Sequence, residues 1–172
     1  MHLVSPSHEH RETFEEALRE MREAGEVGIR DWDDIGAPRT IDDYIRIRQD
    51  HADGRNLPEG WVPASTYWLI DRGQFIGEAN IRHEVNDHLR TVGGQIGYWI
   101  RSSKRQQGYG RAILRFALEK AKELGLSRIV ITCDETNAAS RKIIESNGGV
   151  YESTRDMGPG NPPKLIFWID VP

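Results

Sequence analysis

The stretch Gln95–Leu124 carries the most chemistry per residue in this chain. An apolar run, Gln95-Ile96-Gly97-Tyr98-Trp99-Ile100, leads into Arg101-Ser102-Ser103-Lys104-Arg105-Gln106-Gln107-Gly108-Tyr109-Gly110-Arg111, and a helical run follows. Gly108 and Gly110 remove Cβ atoms where the backbone must turn and expose its N–H groups. Those N–H groups then sit at a helix N-terminus, where unpaired donors and the positive end of the dipole coincide. With Arg105 and Arg111 flanking it, the segment reads as a phosphate cradle; a plain tight turn between strand and helix is the competing reading. Two nucleotide motifs fail on residues. The dinucleotide fingerprint wants a third glycine where Ile113 stands, and the P-loop needs Gly-Lys-Ser/Thr where the chain has Gly110-Arg111-Ala112.

A cradle needs a strand to deliver it and a helix to receive it, and hydrophobic periodicity supplies both. A strand is expected at Gln95–Ile100. A helix follows from about Tyr109 to Leu124, with Ile113, Phe116, Ala117, Ala121 and Leu124 on one stripe, and Gly125 stops it. Arg128–Cys133 is a near-continuous apolar strand, the pattern of a strand covered on both faces. A second helix is expected over Ala138–Ser146, then closing strands at Val150–Thr154 and Leu165–Val171. Upstream, Leu3–Ser5 is a short strand and Ser7 a cap. His10–Ala24 is a helix with Phe14, Ala17, Leu18 and Met21 on one face. Asp31–Arg39 is irregular, and Thr40 caps a helix from Ile41 to about His51. Ser65–Asp71 and Gln74–His83 are strands joined by a turn at Arg72-Gly73, the second bent at Gly77. Glu84–Thr91 reads as a polar loop.

The chain of 172 residues suits one domain, residues 1–172, with a sizeable core. Its net charge of −4 offers no footprint for nucleic acid. No apolar run approaches the roughly 20 residues of a membrane span. The first ten residues lack the basic and apolar regions of a secretory signal, and the lone Cys133 excludes an internal disulfide. These features together predict a cytoplasmic protein without nucleic-acid or membrane partners.

The pattern Arg/Gln-x-x-Gly-x-Gly/Ala at Arg105–Gly110, set in the order β-α-α-β-β-β-α-β-α-β-β, resembles the GCN5-related N-acetyltransferase (GNAT) superfamily. The resemblance implies an α/β (α+β) fold. A mixed central sheet of about six to seven strands, antiparallel in its N-terminal part, would carry a splayed parallel pair at the acetyl-coenzyme A site, flanked by about four helices. It implies an acyltransferase moving an acetyl group from acetyl-coenzyme A to a primary amine, on a small molecule or a protein, by direct attack in a ternary complex. Acetyl-coenzyme A is then a cosubstrate, and no metal is required. Trp99, Ile100 and Arg101 would pair through their backbone with the pantetheine arm, and the amides of Gln106, Gln107, Gly108, Tyr109, Gly110 and Arg111 would hold the pyrophosphate, with the positive charge of Arg105 flanking them. In Asn137–Gly149, which is similar to the family's second coenzyme A segment, Asn137 would bond the pantetheine amides. Ser140 would sit near the sulfur, and Arg141 would reach the phosphates. A helix N-cap is the plain alternative for Asn137.

One departure matters. Many family members carry in this helix a Tyr that protonates the leaving thiolate, and Ile144 stands there; no general acid is assigned, and Ser140 would stabilise the departing thiolate directly or through water. A base is sought in His83 and Glu84, with His88 beyond, at the end of the strand Gln74–His83 and in the loop after it; solvated loop residues are the plain reading. The segment Asp31-Trp32-Asp33-Asp34, with Asp42-Asp43, Trp61 and Trp68, would wall a cationic acceptor, or be a solvated helix entry. Cys133 reads as a small buried residue. A catalytically idle acyl-coenzyme A-binding module is the rival function. The partners expected are acetyl-coenzyme A and an amine, and oligomeric state is left open, a homodimer included.

Overall fold

The computed structural model describes residues 1–26 and 40–171. In chain order its elements are β1 (His2–Val4), α1 (Arg11–Glu23), α2 (Ile41–Ala52), β2 (Ala64–Asp71), β3 (Gln74–Arg82), β4 (Ile96–Ile100), α3 (Tyr109–Glu123), β5 (Arg128–Asp134), α4 (Ala138–Ser146), β6 (Val150–Arg155) and β7 (Lys164–Asp170). The expected segment Asp31–Arg39, with its acids and Trp32, lies outside the described residues.

The mixed α/β architecture is the one expected, but the strands pair as two antiparallel sheets. One has the order β1-β2-β3-β4 and the other β5-β7-β6. They meet where the Gln95 N–H donates to the Val130 carbonyl at 2.6 Å and the Gln95 side chain accepts from the Val130 N–H at 3.2 Å. Beyond that point β4 and β5 share no ladder among the described residues. The two sheets thus join at one end and part at the other, in keeping with a splay between neighbouring strands, and the opening is where a ligand can enter.

Each face of the larger sheet packs a separate core. On one, α3 inserts Ile113, Leu114, Ala117, Leu118 and Ala121 against Leu69, Ile81, Ile96 and the apolar residues of β5 and β7. Leu124, expected on that stripe, lies at the helix end and is 36% exposed. On the other, α1 and α2 bring Phe14, Leu18, Tyr44 and Ile45 onto Trp68, Ile70 and Phe75. Phe14 stacks on Trp68 at 4.3 Å between centroids, so this core is largely aromatic. Trp68 is fully buried here and does not wall a cleft.

Local signals explain most boundaries. The Thr40 side chain accepts from the Asp43 N–H at 3.1 Å and caps α2. Thr40→Ala should cost about 1 kcal/mol of stability, read from the shift of a urea unfolding midpoint. Ser7, also expected to cap, makes no such bond. The Arg72-Gly73 turn has positive φ at both residues, as a tight hairpin requires. The β2–β3 register slips between Leu69 and Ile70, opposite Gly77 and Phe75, so the expected bend at Gly77 is a bulge. The supposed polar loop after β3 is partly ordered. Leu89–Gly93 forms a π-helical turn with Leu89 buried, started by the Asn86 side chain accepting from the Leu89 N–H.

Candidate active site

The opening between β4 and α4 is a groove of about 790 Å³. Its lining includes Tyr98, Trp99, Ile100, Gln106, Gly108, Gly110, Arg111, Asn137, Ser140 and Lys142. One wall is the expected cradle. Gly108 is left-handed at φ 85° and Gln106 at φ 59°, and α3 begins at the next residue, Tyr109. Among the described residues no backbone N–H from Gln106 to Arg111 has an intramolecular acceptor; Ala112 is the first to be satisfied, by Gly108. A run of unpaired donors at a helix N-terminus fits a polyanion such as a pyrophosphate. Gly110 has a role that the motif did not suggest. A Cβ there would lie 2.5 Å from Ile143 Cδ1, so the glycine lets α3 and α4 close on each other.

The charges sort differently from expectation. Arg105 reaches the groove's edge, but both its terminal nitrogens pair with Glu26 at 2.7 and 2.6 Å. Arg101 bonds Glu20, and Arg141 bonds Glu145 at 2.8 Å; neither lines the groove. The Gln107 side chain bonds the Ser103 carbonyl, and the Tyr109 hydroxyl donates to Asp71 at 2.9 Å, away from the groove. Among the described residues, the cations lining the groove besides Arg105 are Arg111 and Lys142. Lys142 went unnoticed in the sequence because it adjoins the more conspicuous Arg141.

The phase of the β3–β4 ladder decides which backbone groups face the opening. The Arg82 N–H bonds the Gln95 carbonyl, and the Arg101 N–H bonds the Ile76 carbonyl. Alternation along an antiparallel pair then commits Trp99 to β3 and turns the backbone of Tyr98 and Ile100 outward. The exposed amides at the splay therefore belong to Tyr98 and Ile100. The Trp99 ring packs against Phe75 on the opposite face, at 5.3 Å.

At the far wall, Asn137 acts as the N-cap of α4, its side chain accepting from the Ser140 N–H at 3.0 Å. The cap fixes Ser140 on the first turn, where its Oγ lies 3.1 Å from the Tyr98 hydroxyl. Burial pushes Tyr98 up to about 12, the hydrogen bond to Ser140 opposing it. Tyr98 is the functional candidate that sequence reasoning passed over, naming it only within the strand before the cradle. Ile144, at the position of the family's usual acid, is fully buried in the core. Cys133 is also buried, and burial raises its thiol.

The expected bases are not brought to this place. His83 Nε2 lies 2.8 Å from Ser65 Oγ, its pKa lowered by burial against an opposing effect of Glu84, and Glu84 is exposed. Neither lines the groove. A second cavity of about 170 Å³ on the α2 side is lined by Arg48, His51, Trp61, Asn80, Arg82 and His88, among others. Beside it Glu78 is buried at 2% exposure, accepting from Trp68 Nε1 at 2.9 Å and from the Tyr44 hydroxyl, with Arg48 at 3.6 Å.

A family model described as an acetyltransferase (GNAT) domain matches residues 2–150. The chain belongs to the GNAT acetyltransferase family. This acetyltransferase is an acyltransferase that uses acetyl-coenzyme A, and the donor row, Arg111 and Lys142 suit that cosubstrate. No curated protein matches it. Its fold is similar to a Salmonella typhimurium acetyltransferase that modifies the N-terminal serine of ribosomal protein L7/L12, at 14% identity and TM-score 0.65 over 99% of this chain and 94% of that one. RimL, a ribosomal L7/L12 α-N-protein acetyltransferase in complex with coenzyme A, aligns at 14% identity and TM-score 0.66, covering 99% and 95%. The spermidine/spermine N-acetyltransferase SpeG of Vibrio cholerae aligns at 17% identity and TM-score 0.56, covering 76% of each chain.

Proposed function

We propose that this acetyltransferase moves the acetyl group directly to a primary amine while both substrates are bound. The observation that carries the reading is the meeting, in one groove, of the unpaired donor row, the outward amides of Tyr98 and Ile100, and the Tyr98–Ser140 hydroxyl pair. The donor row and Lys142 would bind phosphates. An outward β4 amide would polarise the thioester carbonyl. As the amine attacks carbon, the C–S bond breaks and the thiolate leaves beside two hydroxyls. Proteins of similar fold modify the N-terminal serine of a ribosomal protein and acetylate spermidine or spermine, molecules that each carry a primary amine, which supports this acceptor class. Amine deprotonation is not assigned to His83 or Glu84, since neither lines the groove.

An idle acyl-coenzyme A-binding module draws on Ile144, but Tyr98 and Ser140 supply the hydroxyls that Ile144 lacks. Calorimetric titration with acetyl-coenzyme A tests the first half. The parent should bind, and Arg111→Ala and Lys142→Ala should each bind about tenfold more weakly, the effect of losing one charged hydrogen bond. Thiol release on addition of primary amines tests the second half. No binding by the parent would overturn the reading, and binding without turnover on any amine would favour the idle module.

A further inference from the structure

The turn that delivers β4 into the donor row is held from outside, by α1. Glu20, on the last turn of that helix, accepts from Arg101 Nε at 2.5 Å, from the Ser103 N–H at 2.5 Å and from the Ser103 hydroxyl at 2.9 Å. Glu26, just past the helix, takes both terminal nitrogens of Arg105 and the Ser102 hydroxyl at 2.8 Å. Arg105 Nε in turn donates to the Ile100 carbonyl at 3.0 Å. Residues 101–105 are thus pinned along their length by two carboxylates from a different element. The next residue, Gln106, has φ 59°, a conformation that a residue with a Cβ keeps only where its surroundings over-determine it. Gln106 also begins the row of unpaired donors. Neither Glu20 nor Glu26 lines the groove.

We propose that Glu20 and Glu26 are positioning residues that clamp residues 101–105, hold Gln106 left-handed, and so aim the donor row at the phosphates of acetyl-coenzyme A. The proposal rests on the donor-row reading above and assigns that site its external support. Both carboxyls are built to stay ionised. At Glu20 burial would raise the pKa, but the bonds from Arg101 and Ser103 outweigh it, and at Glu26 the bonds from Arg105 lower it against burial.

The clamp makes a prediction that simple electrostatics contradicts. Neutralising Glu26 releases the Arg105 guanidinium, which is half-exposed at the groove's edge. Charge alone would then tighten phosphate binding, whereas loss of the clamp weakens it. In the full chain, Glu26→Gln should raise the calorimetric Kd for acetyl-coenzyme A about tenfold. Turnover at saturating acetyl-coenzyme A should stay within about twofold, because the reacting end is untouched. Arg105→Gln should raise that Kd by a similar factor, and the double variant should bind no worse than either single one. Without any ligand, amide exchange at residues 103–111 should quicken in Glu26→Gln while β2 and β3 keep their protection. Unchanged or tighter binding, additive losses, or a uniform quickening along the chain would overturn the clamp. If the parent failed to bind acetyl-coenzyme A, the functional reading would fall, and the exchange comparison would still decide the clamp.

Discussion

Gly77→Ala should cost this acetyltransferase about 1–3 kcal/mol of stability, as overpacking a full site does, and about a hundredfold in kcat/KM, as a misplaced reacting centre does. A Cβ at this position would lie 2.3 Å from the Trp99 carbonyl oxygen and 2.8 Å from Ile100 Cδ1. The nearer obstacle is backbone, so no rotamer change relieves it. The β3–β4 ladder must part at Gly77↔Ile100 and Glu78↔Trp99, beside a register slip that already loosens β3 on its other edge. The same shift carries the outward amides of Tyr98 and Ile100 away from the groove. Urea unfolding and steady-state rates on one preparation would check both effects. Parental stability with parental kcat/KM would show that β4 is not the ruler of the site.

Removing both hydroxyls at the groove's far wall, in Tyr98→Phe with Ser140→Ala, should lower kcat about a hundredfold, in the range for losing a donor to developing negative charge. Each single variant should lose most of that, because the two groups act as a pair. With Tyr98 pushed up to about 12, chiefly by burial, its hydroxyl stays protonated throughout the neutral range. Complete transfer of its proton to a thiolate, whose thiol titrates at roughly 8.5, is strongly uphill. Hydrogen-bond donation is the role that fits. One of the pair's two protons is spent between the oxygens, and the other is left for the sulfur. The raised pKa also has a stability sign. Tyr98 favours the fold fully below its unfolded value of 10.0, and the contribution falls away as pH rises to about 12. A normal kcat in the double variant, with KM for acetyl-coenzyme A unchanged, would remove the pair from the reaction.

Much of the site was legible because it is local. The helix after Gly108, the caps at Thr40 and Asn137, the buried strand β5 and the burial of Cys133 each follow from a few neighbouring residues. The donor row was legible for the same reason, since a helix N-terminus displays its donors wherever it is placed. The charges around it were not. Arg105, Arg111, Arg141 and Lys142 are equivalent as letters, and their fates depend on which acid another element presents. Nothing near Glu20 or Glu26 in the sequence marks them as partners of the turn after β4, because only packing sets the end of α1 beside it.

The bases fell to a similar limit. His83 and Glu84 were placed by where their strand ends, but the side chain of His83 turns to Ser65. Tyr98 was hidden in the same way. Nothing within β4 tells that its outward side chain will meet a serine on a helix 42 residues later. By itself the sequence determined the elements, their order and the donor row, because hydrogen bonding and hydrophobic periodicity act over neighbouring residues. The tertiary structure alone decided the ladder phase that exposes Tyr98 and Ile100, the tyrosine–serine pair and the carboxylates behind the loop, because each depends on contact between segments that only packing brings together.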